Sequence, residues 1–287
     1  MQIGFIGTGV MGASICKHLL NAGHTLHIFT RTKEKAAELI ELGASWYGSP
    51  AEVAHQAEVV FTMVGYPQDV DQVYTGDQGL FESTSAKTFI DLTTSTPELA
   101  RNLAEQGQKL GFQVIDAPVS GGDIGAQQGV LSIMIGGDEK TVESLQSLFT
   151  LFGKNIVYHG APGAGQHTKM CNQIAIASTM IAVCESLTYG KKAGLDLNKV
   201  LESITQGAAG SWSLSNLGPK MIAEDYQPGF YIKHFVKDMG IALSEAERMG
   251  IKLPGLTRVK SLYDDLITEG FEDEGTQALI RHYKKQW

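Results

Sequence analysis

The feature that most constrains the fold is the glycine spacing G-x-G-x-x-G between Gly7 and Gly12, directly after the apolar run Gln2–Ile6. The first glycine permits a tight strand-to-helix turn, the second lets the backbone approach a pyrophosphate, and the third lets helix and strand pack closely. Because a strand precedes the pattern and a helix follows it, we predict a dinucleotide-binding turn; the alternative is a compact turn without a ligand. The residues of the turn are Gly7, Thr8, Gly9, Val10, Met11 and Gly12.

The first half of the chain alternates short β-rich runs with helical patterns, which is typical of a parallel sheet covered on both faces. The predicted strands include Gln2–Ile6, Thr25–Thr30, Val59–Val64, Thr88–Leu92 and Gln113–Asp116. The predicted helices between them include Met11–Asn21, Lys33–Leu42 and Pro97–Leu110. We therefore predict an α/β Rossmann domain with a mainly parallel sheet.

The second half has a different pattern, with no convincing strand. A long helical pattern runs from Gly165 to Ala193, stops at Gly194, and is followed by further helical patterns. We place the boundary near Pro162, which gives a Rossmann domain over residues 1–162 and an all-α C-terminal domain over residues 163–287, joined by the long helix. The last residues, RHYKKQW, are expected to form a loose tail.

Composition excludes several classes of protein. The formal net charge is −8 and the basic residues are scattered, which argues against a nucleic-acid partner. The three cysteines have no paired spacing, which suits a reducing cytoplasm, and the eight histidines have no metal-ligand spacing, so we predict no metal. No leader sequence or uninterrupted apolar stretch of about 18 residues is present, so we predict no membrane span.

The end of the second predicted strand indicates which dinucleotide binds. An NAD site usually has an acidic residue there to hold the ribose hydroxyls, whereas this chain reads Thr30, Arg31 and Thr32. Arg31 can pair with a 2′-phosphate, and the two hydroxyls can donate to it. We predict that NADP(H) is preferred, with NAD(H) possible; the alternative is that Arg31 is an ordinary solvated charge.

Four motifs in order make the chain resemble the β-hydroxyacid dehydrogenases, a family that includes 3-hydroxyisobutyrate dehydrogenases, tartronate semialdehyde reductases and glyoxylate/succinic semialdehyde reductases. The motifs are GFIGTGVMG at the start, DAPVSGG at Asp116–Gly122, GAGQHTKMCNQ at Gly163–Gln173, and KD at Lys237–Asp238. The resemblance covers essentially the whole chain.

The resemblance implies that Ser120, Gly121 and Gly122 hold the substrate carboxylate, with Ser120 also counted among the catalytic residues. The chemistry is reasonable, since a hydroxyl and two glycine N–H groups can converge on an anion. Lys169 matches the family's catalytic lysine, which gives or takes the proton of the alcohol oxygen. A partly desolvated lysine can have a lowered pKa and can stabilise developing alkoxide charge.

The remaining site predictions also follow from the resemblance. Asn172 is favoured as the second catalytic amide, but many members have their asparagine four residues after the lysine, so Gln173 competes as a substrate-binding amide. Trp212 is a candidate for the substrate pocket and equally for the core. The further cofactor-binding candidates are Val64, Thr94 and Lys237, with Asp238 expected to anchor the helix of Lys237.

These observations predict an NADP(H)-preferring oxidoreductase that interconverts a short β-hydroxyacid, similar to 3-hydroxyisobutyrate, and its semialdehyde. A homo-oligomer, dimer or tetramer, is expected by analogy. Two alternatives stay open. An imine reductase shares the expected architecture but would lack Lys169, and a non-catalytic NADP(H) sensor or scaffold would have no need of the carboxylate-binding turn.

Overall fold

A computed structural model describes residues 1–287, and the chain divides into two compact units, Met1–Lys169 and Met170–Trp287. We call them the sheet domain and the helical domain. The sequence places the boundary near Pro162, whereas the structural division falls inside the long helix. The two differ because the first turns of this helix are hydrogen-bonded to the sheet domain, as described below.

The sheet domain is built on a nine-stranded sheet. The strands are β1 (Gln2–Ile6), β2 (Thr25–Phe29), β3 (Ser45–Trp46), β4 (Val59–Thr62), β5 (Thr88–Asp91), β6 (Gln113–Asp116), β7 (Val119–Ser120), β8 (Leu131–Gly136) and β9 (Gly153–Gly160). Their order is β3-β2-β1-β4-β5-β6-β8-β7, and β9 also pairs with β8. All pairs are parallel except those of β8 with β6 and β7. The strand order reverses beside β1, and in such sheets ligands bind at the carboxyl ends of the strands near the reversal.

Helices cover this sheet. They are α1 (Val10–Asn21), α2 (Ala37–Glu41), α3 (Pro50–Gln56), α4 (Pro67–Thr75), α5 (Pro97–Lys109), α6 (Gly122–Gln128) and α7 (Glu139–Phe149). The predicted helix Lys33–Leu42 is wrong in its first turn, which is a 3-10 turn over Lys33–Ala36. Thr32 provides no side-chain cap there, and the turn closes instead with the tighter bond from Lys35 N to Thr32 O.

The buried residues of the sheet form two hydrophobic clusters, one for each face. Phe89 and Val114 belong to one cluster, whereas their neighbours Ile90 and Ile115 belong to the other. Successive side chains of a strand point to opposite faces, so both faces of these strands are buried. The predicted Rossmann domain with a mainly parallel sheet is confirmed.

The helical domain contains no β-strand, which confirms the predicted all-α domain. Its helices are α8 (Ala164–Lys192, which begins in the sheet domain), α9 (Leu197–Ile204), α10 (Trp212–Ala223), α11 (Ile232–Arg248), α12 (Pro254–Thr268) and α13 (Ile280–Lys284). The predicted loose tail is wrong. Tyr283 donates to Glu185, and Trp287 Nε1 donates to Thr188 at 3.0 Å, so the end of the chain is docked on its own domain.

Helix α8 is long and apolar enough, with a mean hydropathy of 1.3, to cross a membrane by length and composition alone. Its buried positions include Met170, Ala177, Met180 and Leu187, which belong to the core cluster of the helical domain. We therefore interpret α8 as a core helix. The expected absence of a membrane span stays a prediction.

Candidate active site

Two of the three glycines of the first turn, Gly7 and Gly12, are required by close backbone packing. Gly7 has a φ of 96°, and a Cβ there would lie 2.1 Å from Met63 O. A Cβ on Gly12 would lie 2.1 Å from Gly7 O, so helix α1 could not pack against β1 with any other residue. A Cβ on Gly9 would meet nothing within 4 Å, which leaves the space in front of α1 open.

The start of α1 fits a phosphate group. Gly9 provides no side-chain cap for the first amides of the helix, and Val10 is 58% exposed although it is apolar. Thr8 is buried, and its Oγ1 has no hydrogen-bond partner. An uncapped helix N-terminus with a buried hydroxyl beside it matches the donors that a dinucleotide pyrophosphate needs.

The segment after β2 has an acidic neighbour that the sequence did not reveal. Arg31 is highly exposed, and its Nη1 lies 3.4 Å from Asp69 Oδ1 on α4. Thr30 is half-buried and Thr32 is exposed. The local sequence shows no acid here because Asp69 lies on α4, between β4 and β5, so only the folded chain brings it to Arg31.

The loops after β4 and β5 are joined by a hydrogen bond at the carboxyl edge of the sheet. Val64 N donates to Thr93 Oγ1 at 3.0 Å, and Thr93 N donates to Asp91 Oδ1 at 2.9 Å. Two of the predicted cofactor-binding residues, Val64 and Thr94, thus lie in loops that are directly connected. This edge is where a parallel sheet of this kind binds its ligand.

Lys169 and the predicted carboxylate-binding turn come together. Lys169 is only 6% exposed, and its Nζ donates to Val119 O at 2.9 Å. That carbonyl belongs to the peptide bond leading into Ser120. Gly121 and Gly122 follow with φ values of 133° and 65°, which residues with a side chain rarely adopt. A buried amine therefore lies beside a turn that can direct a hydroxyl and backbone N–H groups toward an anion.

Asp116 is the first residue of the DAPVSGG motif, and its carboxylate holds the start of α8. Its Oδ1 accepts from Gly163 N at 2.7 Å and its Oδ2 accepts from Gln166 N at 2.9 Å. Burial raises the pKa of this carboxyl to about 7, with the nearby Asp91 adding to the rise, although the two backbone bonds act in the opposite direction. The signal for this role in the sequence is an acidic residue at the end of a predicted strand. Gly163, at the start of the long helical pattern, follows it 47 residues later.

The helical domain contains a chain of polar side chains. Asn172 Nδ2 donates to Gln173 Oε1 at 2.8 Å, and Gln173, which is 1% exposed, donates through Nε2 to Asp238 Oδ2. Lys237 Nζ lies 3.2 Å from the other oxygen of Asp238. The buried Gln173 is thus a link in this chain, while Asn172 is half-buried at its end.

Trp212 has less support from the geometry. It is 63% exposed at the start of α10, so the interpretation as a core aromatic is wrong.

Two models of known protein families match this chain, one in each half. Residues 2–160 match the model described as the NAD-binding domain of 6-phosphogluconate dehydrogenase. Residues 163–283 match the model described as NAD-binding of NADP-dependent 3-hydroxyisobutyrate dehydrogenase.

Individual relatives align over nearly the whole chain. A probable 3-hydroxyisobutyrate dehydrogenase-like 1, mitochondrial, from Arabidopsis thaliana is 50% identical over 97% of this chain and 84% of its own. The 2-hydroxy-3-oxopropionate reductase of Escherichia coli is 37% identical over 98% of this chain and 96% of its own. The solved structure of Mycobacterium tuberculosis 3-hydroxyisobutyrate dehydrogenase with L-serine superposes with a TM-score of 0.89 at 29% identity, covering 98% of each chain.

Proposed function

The chain belongs to the β-hydroxyacid dehydrogenase family of NAD(P)-dependent oxidoreductases, and on this premise we propose that it interconverts a short β-hydroxyacid and its semialdehyde, with NADP(H) preferred. The observation that carries the proposal is the hydrogen bond from the buried Lys169 to Val119 O. It supports a proton donor next to a turn suited to a carboxylate. A substrate with a carboxylate a short distance from its reacting carbonyl would meet both groups.

In the direction of reduction, Ser120, Gly121 and Gly122 bind the carboxylate and fix the position of the substrate. When bound, the reduced nicotinamide supplies hydride to the carbonyl carbon. Lys169 Nζ donates a proton to the carbonyl oxygen, so that the aldehyde becomes an alcohol with balanced charge. Val119 O orients the amine, and the ammonium charge stabilises the oxygen as negative charge develops on it.

The two amides of α8 take different parts in this proposal. Gln173 is buried and bonded to Asp238, so it orients its neighbour and does not contact substrate. Asn172 is half-buried at the end of this chain of side chains, and we assign it as the amide that meets the substrate. Lys237 is paired with Asp238 within the helical domain, and its assignment to the cofactor rests on the family resemblance.

The preference for NADP(H) rests on the segment after β2. Arg31 is exposed enough to reach a 2′-phosphate, and its contact with Asp69 at 3.4 Å is a weak surface ion pair that a phosphate can replace. The hydroxyls of Thr30 and Thr32 flank it in sequence. The helical domain matches a family model described as NADP-dependent, which agrees with this preference.

The test is the consumption of NADPH and of NADH with a panel of semialdehydes and β-hydroxyacids. The panel includes a matched aldehyde without a carboxylate and a cyclic imine. We expect turnover with at least one semialdehyde, little with the carboxylate-free aldehyde, and a higher kcat/KM with NADPH. Reduction of the imine alone would indicate an imine reductase, and cofactor binding without any turnover would indicate a sensor or scaffold.

Arg31→Ala in the same panel tests the cofactor preference. We expect kcat/KM for NADPH to fall about tenfold and that for NADH to change little, since one charge-assisted hydrogen bond is lost. Lys35→Ala removes an exposed charge from the same segment and is the control. If the wild-type protein used NADH as well as NADPH, the interpretation of Arg31 would be wrong.

A further inference from the structure

Gln166 is completely buried and has no part in the function proposed above, yet both ends of its side-chain amide are bonded. Its Nε2 donates to Thr93 O at 2.7 Å, and its Oε1 accepts from Ser95 N at 3.0 Å. These two backbone groups lie on either side of Thr94. One side chain on α8 thus holds both flanks of Thr94 in the loop after β5.

The loop that Gln166 holds is itself tied to the next loop of the sheet edge. Thr93 accepts from Val64 N through its Oγ1, and Val64 lies after β4. The two loops lie at the carboxyl edge of neighbouring parallel strands, the place where such sheets bind ligands. A displacement of Gln166 would therefore displace both loops.

The other end of the connection is the start of α8. Gln166 N donates to Asp116 Oδ2, and Gly163 N donates to Asp116 Oδ1, so the first turn of the helix is fixed to the end of β6. Lys169 follows Gln166 by three residues, which is less than one helical turn. The rigid first turn thus carries the loop contacts of Gln166 and the side chain of Lys169 together.

A glutamine is suited to this position by its chemistry. The loop presents a carbonyl at Thr93 and an N–H at Ser95, and both residues are nearly fully buried. A side-chain amide offers a donor and an acceptor in one planar group, and it does so at every ordinary pH because it does not titrate. Leaving either backbone group without a partner would be costly, which favours one arrangement of the loop.

We propose that Gln166 is a positioning residue that fixes the loop around Thr94 relative to Lys169, so that the ligand-binding edge of the sheet and the proton-transfer group keep one geometry during turnover. The inference rests on the proposed function, since it assigns Lys169 to proton transfer. Hydride transfer requires close and aligned reacting atoms, so a small displacement lowers the rate without removing any reacting group.

The test compares Gln166→Met with Gln277→Met in the full-length protein. Methionine is of similar length and removes both hydrogen bonds. Gln277 is the matched control, because it is also buried and also bonds backbone groups, donating to Asp225 O and Gln227 O in the helical domain. Both substitutions are expected to lower thermal stability.

Four measurements separate a positioning role from an effect on stability alone. For Gln166→Met we expect kcat per folded protein to fall roughly tenfold to a hundredfold, with the Kd for NADPH changed less than about threefold because the glycine turn is intact. The primary isotope effect on kcat with 4-deuterated NADPH should rise as hydride transfer becomes more rate-limiting. Amide hydrogen exchange over residues 92–96 should become faster. Gln277→Met should change none of these.

The inference is overturned if Gln166→Met leaves kcat and the isotope effect unchanged, whether or not exchange becomes faster. Should Gln166→Met not fold, Gln166→Glu keeps the acceptor for Ser95 N and removes the donor to Thr93 O, and the same readouts apply. Failure of the proposed function is recognised separately. In that case the wild-type protein itself turns over nothing in the panel, while hydrogen exchange still reports whether Gln166 holds the loop.

Discussion

The two domains hold their polar site residues in different ways. In the sheet domain, Asp116 and Lys169 are bonded to backbone groups, at Gly163 N and Val119 O among others. In the helical domain, Asn172, Gln173, Asp238 and Lys237 are bonded or paired with one another. Backbone partners are fixed by the fold, whereas side-chain partners depend on each other.

This difference has consequences for mutation. Lys169 can be removed while its partner carbonyl at Val119 stays in place, because Val119 is paired with Ile133 of β8. A side chain within a chain of side chains cannot be removed in this way, because its loss leaves the next one without a partner. We therefore expect a separable effect for Lys169 and coupled effects in the helical domain.

The largest expected effect is that of Lys169→Ala. Removal of a proton-transfer group typically lowers the rate by about 10²–10⁴-fold, so kcat should fall by this amount. The Kd for NADPH should remain within about threefold, because the turn at Gly7–Gly12 does not involve the lysine. Steady-state kinetics and fluorescence titration measure the two quantities.

Lys192→Ala, at the exposed end of the same helix, is the control for Lys169→Ala. It should leave kcat unchanged. A near-normal kcat for Lys169→Ala would show that the lysine is not the proton-transfer group. The proposed role of its hydrogen bond to Val119 O would then be wrong.

The second prediction concerns coupling in the helical domain. Gln173→Met and Asp238→Asn should each lower kcat/KM, and the double variant should lower it little further. For residues in direct contact we expect a coupling energy of about 1–3 kcal/mol in a double-mutant cycle on kcat/KM. If the two effects simply added, these side chains would not act as one chain.

A matched cycle pairs Gln173→Met with Lys192→Ala. The two positions are about 28 Å apart along α8 at ~1.5 Å per residue, so their effects should add within about 0.5 kcal/mol. Coupling in this control would point to a change of the whole helix rather than to the contact of Gln173 with Asp238.

Much of the fold followed from local patterns. The strands and helices of the sheet domain were predictable because apolar periodicity and glycine positions act over a few residues, as at Gly7–Gly12. Helix α10 was not predicted, since Pro219 interrupts its pattern and glycine precedes it at Gly210. Ser211 caps its start and is a signal that the local sequence does contain, whereas its packing within the helical domain is not visible in a local pattern.

The residues of the site also divide into those that the local sequence predicts and those that it does not. The glycine turn and the pair of glycines at Gly121 and Gly122 could be identified because each residue has a local backbone requirement. Asp69 beside Arg31 and Gln166 beside Thr93 could not, because the partners are 38 and 73 residues apart in the chain. Contacts of this kind are created by the order of strands in the sheet, which the sequence alone did not give.

The smallest expected effect is a difference in the pH dependence of stability between two aspartates of the sheet domain. Each carboxylate accepts at least one hydrogen bond from a backbone N–H group at the start of a helix. Asp116 is buried, with its pKa raised from 3.8 to about 7, whereas Asp138 is exposed, with its pKa lowered by bonds from Thr141. A carboxyl with a higher pKa in the folded chain binds more protons when folded, so protonation favours folding. Its contribution to stability therefore falls as pH rises from about 4 to about 7 and is constant above that range.

Asp116→Asn removes this titration, so the stability of the wild-type protein relative to this variant should decrease between about pH 4.5 and 7.5. Asp138→Asn is the control, because a lowered pKa contributes stability that is lost only as pH falls below the ordinary value of 3.8, and its difference from wild type should be flat over the same range. Urea-unfolding midpoints across the pH range measure both differences. A flat difference for Asp116→Asn would mean that the bonds from Gly163 and Gln166 outweigh burial and keep the carboxylate charged, so that backbone donors alone would set its state.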